Sequence, residues 1–235
     1  MSVGRKVIWG LIVAQVILVV VVVLGWRGRA GSASSPLVRL ETGVPAGTPL
    51  TIESGLAGAL GRAREWSQDA FLFAAGMQID WPTDPATASG SELPGNGWVL
   101  YTFASEKVGV GPGGEAATLS MMVDRMSGVL IDERELGWTE LPRRRADLTT
   151  YPISSTVALF AVETTDGNHY RNNCPEFRHL ARVSIVPSLD GGDADWLVTY
   201  EDQRSGGRPA ILVRVDAVTG QVEREEPVDG ADAAC

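Results

Sequence analysis

Residues 211–222 read Ile-Leu-Val-Arg-Val-Asp-Ala-Val-Thr-Gly-Gln-Val, and this stretch predicts a β-hairpin. Up to Val215, isoleucine and valine alternate with a more polar set of neighbours, which is the period of a half-buried strand. The turn begins at Asp216, whose side chain is suited to cap it, and contains Gly220, which tolerates a positive φ. A return strand is predicted to begin at Val222.

The same pattern occurs earlier in the chain. Residues 123–128, Val-Asp-Arg-Met-Ser-Gly, match residues 215–220, Val-Asp-Ala-Val-Thr-Gly, at an offset of 92. Upstream, the four residues from Trp98 match the four from Trp196 at an offset of 98. The two offsets differ by six residues. The difference falls in the connection between two predicted strands, and the length of such a loop can vary. The sequence therefore predicts a duplicated unit that ends in a hairpin.

A helix is predicted at the start of each unit. In the first unit, Thr51 is the candidate N-cap, and apolar residues recur at helical spacing as far as Trp66. In the second unit, Ser154 or Ser155 is the candidate cap, and Gly167 is predicted to end the helix. The residues of this second helix predicted to face inward are Val157, Phe160 and Ala161. Strands are predicted to follow the helices, near residues 70–79 and 181–187.

These elements predict an α+β fold class: one N-terminal transmembrane helix followed by two repeated modules, each a helix packed on an antiparallel sheet. The predicted divisions, in chain order, are an N-terminal tail (1–6), a transmembrane helix (7–26), a tether (27–48), a first module (49–140), a joint (141–150), a second module (151–228) and a C-terminal tail (229–235).

The predicted transmembrane helix is the apolar run at residues 7–26, whose one strongly polar member is Gln15. Twenty helical residues span about 30 Å, the hydrocarbon thickness of a bilayer. A cleaved signal peptide, with the small residues 31–33 at the cleavage site, is the alternative, but the run exceeds the usual signal core. The sequence thus predicts a single-pass cell-membrane protein that contacts the lipid bilayer through residues 7–26, with its large domain on the extracytoplasmic side.

The charge of that large domain argues against nucleic acid as a partner. The chain has 20 basic and 29 acidic residues, and four of the basic ones flank the apolar run. The rest of the chain therefore carries a charge of about −13, which repels phosphate backbones.

Three groups of residues resemble ligand sites but lack the spacing or the neighbouring structure that such sites require. Residues 109–114 satisfy G-x-G-x-x-G, but a strand is predicted to follow, whereas a dinucleotide site needs a helix N-terminus there. His169, Cys174 and His179 are metal-ligating residue types, but their gaps match no common zinc pattern. Asp190, Asp193 and Asp195 are interpreted as a solvated turn, with a cation site as the less favoured alternative. No metal and no cofactor is predicted.

Cys174 and Cys235 are the only cysteines, and in an oxidising compartment such a pair favours a disulfide. Whether the two are bonded stays open at this point. Catalysis by Cys174 with His179 as base is disfavoured, because no residue is evident that would orient the base. Trp66, Trp98 and Trp196 form a candidate binding face, with core packing as the commoner use of tryptophan in such a domain.

The second hairpin resembles the PepSY domain, a small extracytoplasmic module of bacteria that is often tandem and membrane-tethered. The residues that carry the resemblance are Val215, Asp216, Ala217, Thr219, Gly220 and Val222, and in the first unit Val123, Asp124, Ser127, Gly128 and Val129. The resemblance implies a binding or inhibitory role, with regulation of a peptidase as the family's suggested activity. It implies no catalytic residues.

No catalytic motif is present: the chain lacks G-x-S-x-G, H-E-x-x-H, C-x-x-C and a P-loop. The predicted function is therefore that of a non-enzymatic, membrane-anchored extracytoplasmic interaction module that binds a protein or peptide. One alternative is an accessory subunit of a larger membrane complex, held through the anchor. The other is an enzyme with an unrecognised site.

Overall fold

The computed structural model describes residues 38–80, 96–111, 115–139, 147–173, 179–186, 194–202 and 209–224, all within one compact unit. The strands are β1 (Phe71–Asp80), β2 (Gly97–Val110), β3 (Ala116–Asp124), β4 (Leu130–Thr139), β5 (His179–Val186), β6 (Asp195–Asp202), β7 (Pro209–Asp216) and β8 (Val222–Arg224). The helices are α1 (Ile52–Trp66), α2 (Ser155–Val162) and α3 (Asn168–Asn173), with a π-helical turn (Glu163–Gly167) between the last two.

All eight strands form one antiparallel sheet in the order β4-β3-β2-β1-β5-β6-β7-β8. The two halves of the chain are each a four-strand meander, and they join where β1 pairs with β5. At the centre of that joint Gly76 lies opposite Ser184, and these two residues are flanked by Leu100 and Leu197 respectively. Around this pair the register is unchanged when the halves are exchanged, so the centre of the sheet has an internal approximate twofold symmetry, although register shifts further out differ between the halves.

Helices α1 and α2 lie on the same face of the sheet, which we call the helix-covered face. The core is the set of alternate strand residues that point at the helices, including Met77, Tyr101, Val183 and Trp196. No described helix lies on the opposite face, which we call the helix-free face.

The N-termini of α1 and α2 are joined by one carboxylate. Glu53, in the first turn of α1, accepts hydrogen bonds from the Ser155 backbone N–H at 2.6 Å and from the Ser155 hydroxyl at 2.7 Å. A negative charge is favourable at the N-terminus of a helix, where backbone N–H groups lack intrahelical partners. Glu53 therefore links the two halves of the chain across the twofold axis, and Thr51 and Ser154 cap the helices as the sequence predicts.

Both predicted hairpin turns are confirmed. The Oδ1 atom of Asp124 accepts from the N–H groups two and three residues later, at 3.1 and 2.7 Å, and Asp216 does the same at 2.8 and 2.6 Å. Gly128 and Gly220 have φ values of +67° and +74°, which favour glycine.

The predicted fold class is wrong, because the two modules do not have separate sheets. A meander has two edge strands with unpaired backbone groups, and pairing β1 with β5 satisfies one edge of each half while merging the two apolar cores. The alternation of apolar residues predicts which side chains face inward, but it carries no information on which edge pairs with which.

The fold-class prediction is also wrong in including a transmembrane helix. In the part of the chain that the structure describes, no helix is long and apolar enough to cross a membrane. The predicted span, residues 7–26, lies outside that part.

The second helix differs from its prediction in face and in length. Its buried residues include Ala158, Leu159 and Val162, whereas Val157 is 49% exposed. The helical path does not end at Gly167 but continues to Asn173 after the π-helical turn. A run that is apolar almost all round has no marked periodicity, so the packing against the sheet decides which side is buried.

Two glycines of α1 predict opposite responses to the same substitution. A methyl group at Gly55 would overlap the hydroxyl of the buried Tyr101, which is fixed by donating to the Ile52 carbonyl at 2.8 Å. Gly61 has open space around its Cα. We expect Gly55→Ala to lower the free energy of unfolding by about 1–3 kcal/mol. We expect Gly61→Ala to raise it by about 0.5–1 kcal/mol through helix propensity. Urea denaturation followed by circular dichroism measures both, and a stabilising Gly55→Ala would contradict this packing.

Candidate functional site

The helix-free face is apolar in its middle and charged at its two sides. One row of side chains crosses all eight strands in the order Asp132, Met122, Leu100, Gly76, Ser184, Leu197, Arg214 and Glu223. Leu100 and Leu197 are half-buried, although no described helix covers them. The face of an antiparallel sheet that lacks helices is normally polar, so apolar side chains at its centre indicate contact with something else.

Beside this row lies a group of four side chains that we call the Trp98–Arg182 cluster: Trp98 on β2, Gln78 on β1, Arg182 on β5 and Glu201 on β6. The Nε of Arg182 donates to the Gln78 side-chain oxygen at 3.0 Å, and its Nη1 forms an ion pair with Glu201. The guanidinium carbon lies 6.0 Å from the centroid of the Trp98 ring, within the range of a cation–π contact. Arg182 is therefore held on three sides.

Burial dominates the electrostatics of the Arg182–Glu201 pair. The two side chains are 15% and 8% exposed. Burial lowers the pKa of Arg182, and burial raises the pKa of Glu201, although each charge attracts the other. The mutual attraction thus does not fully offset the loss of hydration, which is the usual result for a buried ion pair.

The internal symmetry provides a comparison for this cluster. The positions related to Trp98, Arg182 and Glu201 in the other half are Asp195, Ala74 and Ala104. One end of the face has an ion pair beneath an indole and the other has two alanines, and the strand register shifts at each end in a different place, between Leu72 and Ala74 and between Tyr200 and Glu201. The sheet thus has the cluster at one end of this face and lacks it at the symmetry-related end.

The three tryptophans of the predicted binding face are not brought together. Trp98 lies on the helix-free face, whereas Trp196 is buried in the core with its indole N–H donating to the Ile153 carbonyl at 2.8 Å. Trp66 lies on the helix-covered side and donates to Glu135 at 2.9 Å. Of the three, Trp98 alone belongs to the candidate site.

The sequence match between Trp98 and Trp196 is out of register by one residue. Val99 pairs with Val123 as Trp196 pairs with Val215, so the structural offset is 97 instead of 98. A slip of one residue along a strand moves a side chain to the other face. The sequence match therefore aligned two tryptophans that lie on opposite faces of the sheet, Trp98 on the helix-free face and Trp196 in the core.

Three residues of the cluster were not predicted from the sequence as site residues: Gln78, Arg182 and Glu201. A signal was present for Arg182, since it is the one charged residue of the predicted strand near residues 181–187. Its partners lie on two other strands and are distant along the chain, so only the pairing of the strands brings them together.

The other predicted sites have limited structural support. Cys174, Cys235, Asp190 and Asp193 lie outside the described residues. Asp195 is on β6 and forms an ion pair with Arg214 at 3.6 Å. Within the described ranges, no three His, Cys, Asp or Glu side chains are grouped so that they would hold a metal ion. After the glycine-rich residues 109–114 the chain enters β3, as predicted, so no helix N-terminus follows them.

The β4 edge of the sheet has features that prevent further strand pairing. The pairing of β4 with β3 shifts register at two places, around Ile131 and Leu136, and residues 132–135 between them are all charged. Bulges and charges are the usual protection of an edge strand. Backbone hydrogen bonds from Leu40 to Gly128 and from Leu130 to Val38 cover the start of β4.

The opposite edge is limited by length, since β8 has three residues. On the helix-free face, Leu100 and Leu197 keep part of their surface exposed, whereas Met122 and Leu212 are buried.

Comparison with known proteins found no matching family model, no matching curated protein and no matching solved structure. The resemblance to the PepSY domain therefore stays a prediction.

Proposed function

We propose that this domain is a non-enzymatic binding module that holds a segment of another protein on its helix-free face, with the Trp98–Arg182 cluster as the main contact. The observation that carries the proposal is the difference between the two symmetry-related ends of that face. A buried ion pair contributes little to stability, and the symmetry-related strands pair with each other without one where Ala74 and Ala104 stand, with a register shift between Leu72 and Ala74. The contribution of the Arg182–Glu201 pair to stability does not explain its presence, whereas recognition of a partner does.

The chemistry of the cluster suits recognition. Tryptophan and arginine are the residues most often found at the energetic centre of protein interfaces, surrounded by polar groups. Glu201 and Gln78 fix the guanidinium of Arg182, so little side-chain entropy is lost when a partner packs against it. The apolar Leu100 and Leu197 lie in the next row and extend the contact across the twofold axis.

A binding role agrees with what the resemblance to the PepSY domain implies. Regulation of a peptidase and a location on the extracytoplasmic side remain predictions within this proposal.

The proposal is tested with the full chain and two variants. Trp98→Ala removes the centre of the cluster, and Asp195→Ala changes the symmetry-related position. Proteins captured by the immobilised wild type are identified by mass spectrometry, and their affinities for the three forms are then measured. Trp98→Ala is expected to weaken a true partner by about 2 kcal/mol, roughly 30-fold in Kd. Asp195→Ala is expected to change the Kd less than threefold.

The controls are the thermal midpoints of the two variants, which must lie near that of the wild type. If every captured protein binds Trp98→Ala as tightly as the wild type, the proposed face is wrong. Equal loss in both variants would likewise contradict a contact centred on the cluster.

A further inference from the structure

We infer that the outer edge of β8 is a second binding site, where an extended segment of another protein adds to the sheet as a further strand. This site, which we call the β8 edge site, consists of the free side of β8 and the side of α2 that faces it. It is separate from the proposed function, because it does not use the helix-free face. The inference follows from a difference between the two halves of the chain at their equivalent hairpins.

The first half of the chain has such an added segment in place. Residues 38–40 run antiparallel to the start of β4. The Leu40 N–H donates to the Gly128 carbonyl at 3.0 Å. The Leu130 N–H donates to the carbonyl of residue 38 at 2.8 Å, and the Leu40 side chain is buried in the core. Three residues of extended chain are therefore enough to cover this edge of a hairpin.

The second hairpin has the same backbone geometry as the first. The Asp124 N–H donates to the carbonyl five residues later at 2.9 Å, and the Asp124 carbonyl accepts from the N–H four residues later at 3.0 Å. The corresponding two distances at Asp216 are both 2.9 Å. Val222 therefore corresponds to Leu130, and its N–H points away from β7 as the Leu130 N–H points away from β3.

The edge of the second hairpin is open. Within the described ranges, no strand or loop forms a backbone hydrogen bond with the outer side of β8. Residues 221–223 are all exposed. Val222 is 42% exposed, whereas Leu130 packs against the core. The second half thus presents, free, the same outward backbone groups that residues 38–40 cover in the first half.

The segment of the first half also contacts the neighbouring helix. A methyl group built on Gly58 would lie 2.8 Å from the Glu41 carbonyl oxygen and 3.3 Å from the Leu40 Cβ. The side of α1 that contains Gly58 therefore faces residues 38–41. Ser54 lies one turn earlier on the same side, because helical residues four apart are neighbours.

The equivalent side of α2 is apolar and exposed. Aligning the two helices at their capping residues places Val157 at the position of Ser54 and Ala161 at the position of Gly58. Val157 is 49% exposed. A segment added to β8 therefore removes apolar surface of Val157 and Val222 from water. The methyl group of Ala161 prevents the close approach that Gly58 allows, so the added segment follows β8 without turning onto the helix.

The chemistry of the occupant follows from the first half. Val38 and Leu40 are apolar residues on either side of Arg39, and the Leu40 side chain is the one that enters the core. The segment taken by β8 therefore has the pattern apolar–any–apolar. Its backbone pairs with the outward groups of β8 whatever its sequence, and the apolar side chain that faces α2 provides selectivity.

The size of the edge argues against a second copy of this chain as the occupant. Two copies joined through β8 would pair only three residues each. A stable protein interface buries roughly 1,200 Å² or more, which a contact of this length does not reach. A single extended segment needs no more than the edge and the two valines beside it.

The test uses the full-length protein and a fluorescein-labelled peptide with the sequence of residues 36–42, Pro-Leu-Val-Arg-Leu-Glu-Thr, acetylated and amidated at its ends. Fluorescence anisotropy gives its Kd. We expect saturable binding to the wild type. The same peptide with Leu40→Asp is expected to bind about tenfold more weakly, because a charge would replace the buried apolar side chain.

Two variants of the protein locate the binding. Val222→Pro removes the outward N–H without removing a bond to β7, as proline does on edge strands, and is expected to raise the Kd about tenfold. Val157→Glu, in the first turn of α2, suits the helix N-terminus and is expected to raise the Kd about fivefold through loss of the apolar contact. Glu65→Gln, on α1, is the matched control and is expected to leave the Kd unchanged. Thermal midpoints near that of the wild type show that the variants are folded.

Three outcomes would overturn the inference. The first is equal binding of the peptide to the wild type, Val222→Pro and Val157→Glu, as expected if the peptide instead displaced residues 38–40. The second is no saturable binding to the wild type at about 1 mM peptide. The third is a dimer of the wild type, seen by light scattering, that Val222→Pro dissociates. None of these outcomes bears on the proposed function, because Trp98 lies on the helix-free face and outside the β8 edge site.

Discussion

Replacing Trp196 by alanine is expected to lower the free energy of unfolding by about 3–5 kcal/mol, the usual loss for a large buried aromatic side chain. Trp196 is 1% exposed in the core. Its indole N–H donates to the carbonyl of Ile153, the residue before the cap of α2. The substitution therefore leaves a cavity and removes the donor of a carbonyl near a helix start.

In the first half of the chain, a different residue donates the hydrogen bond to the carbonyl that precedes the helix cap. The carbonyl of Leu50, which precedes the cap of α1, accepts from the Nε of the buried Arg125 at 2.9 Å. Burial lowers the pKa of Arg125 to about 10. Val99 stands where the second half has Trp196, and Arg125 stands where it has Ala217. The large donor thus comes from β6 in one half and from the β3–β4 turn in the other.

Trp98→Ala is the control for this prediction, since it removes the same side chain from the helix-free face. We expect it to lower the free energy of unfolding by about 1 kcal/mol or less, because Trp98 is only half-buried and lies outside the core. Urea denaturation followed by far-UV circular dichroism gives both values. Similar losses for the two variants would show that the face assignment of Trp98 is incorrect.

Removing one member of the Arg182–Glu201 pair is expected to be more destabilising than removing both. Glu201→Ala leaves a buried guanidinium without its carboxylate, and we expect the free energy of unfolding to fall by about 3 kcal/mol. The double variant Arg182→Ala with Glu201→Ala reproduces the alanines found at the symmetry-related positions 74 and 104. Its free energy of unfolding is expected to lie within about 1 kcal/mol of the wild type.

The pH dependence of the same variants gives an independent measurement. The pKa of Glu201 is raised in the folded protein, so between the unfolded value of 4.5 and the folded value the native state binds more protons than the unfolded state. The wild type therefore loses stability as pH rises through that window, and the double variant lacks this loss. A double variant as unstable as Glu201→Ala at every pH would mean that the cluster is needed for the fold, against the proposed function.

Local structure was determined largely by the sequence itself. The caps at Thr51 and Ser154, the Asp-x-x-(Ser/Thr)-Gly turns and the alternation in β7 depend on contacts within a few residues, and such contacts are present in the chain before it folds. These features could be predicted because the interacting groups are close in the sequence.

The tertiary structure alone decided how these pieces combine. The joining of β1 to β5, the opposite faces of Trp98 and Trp196, and the meeting of Gln78, Arg182 and Glu201 all depend on the register between strands that are far apart in the chain. Register is selected by the packing of a whole face against the helices, and a shift of one residue reverses every side chain of a strand. The sequence pattern of one segment cannot determine this register, because the free energy that selects it comes from packing against the other strands.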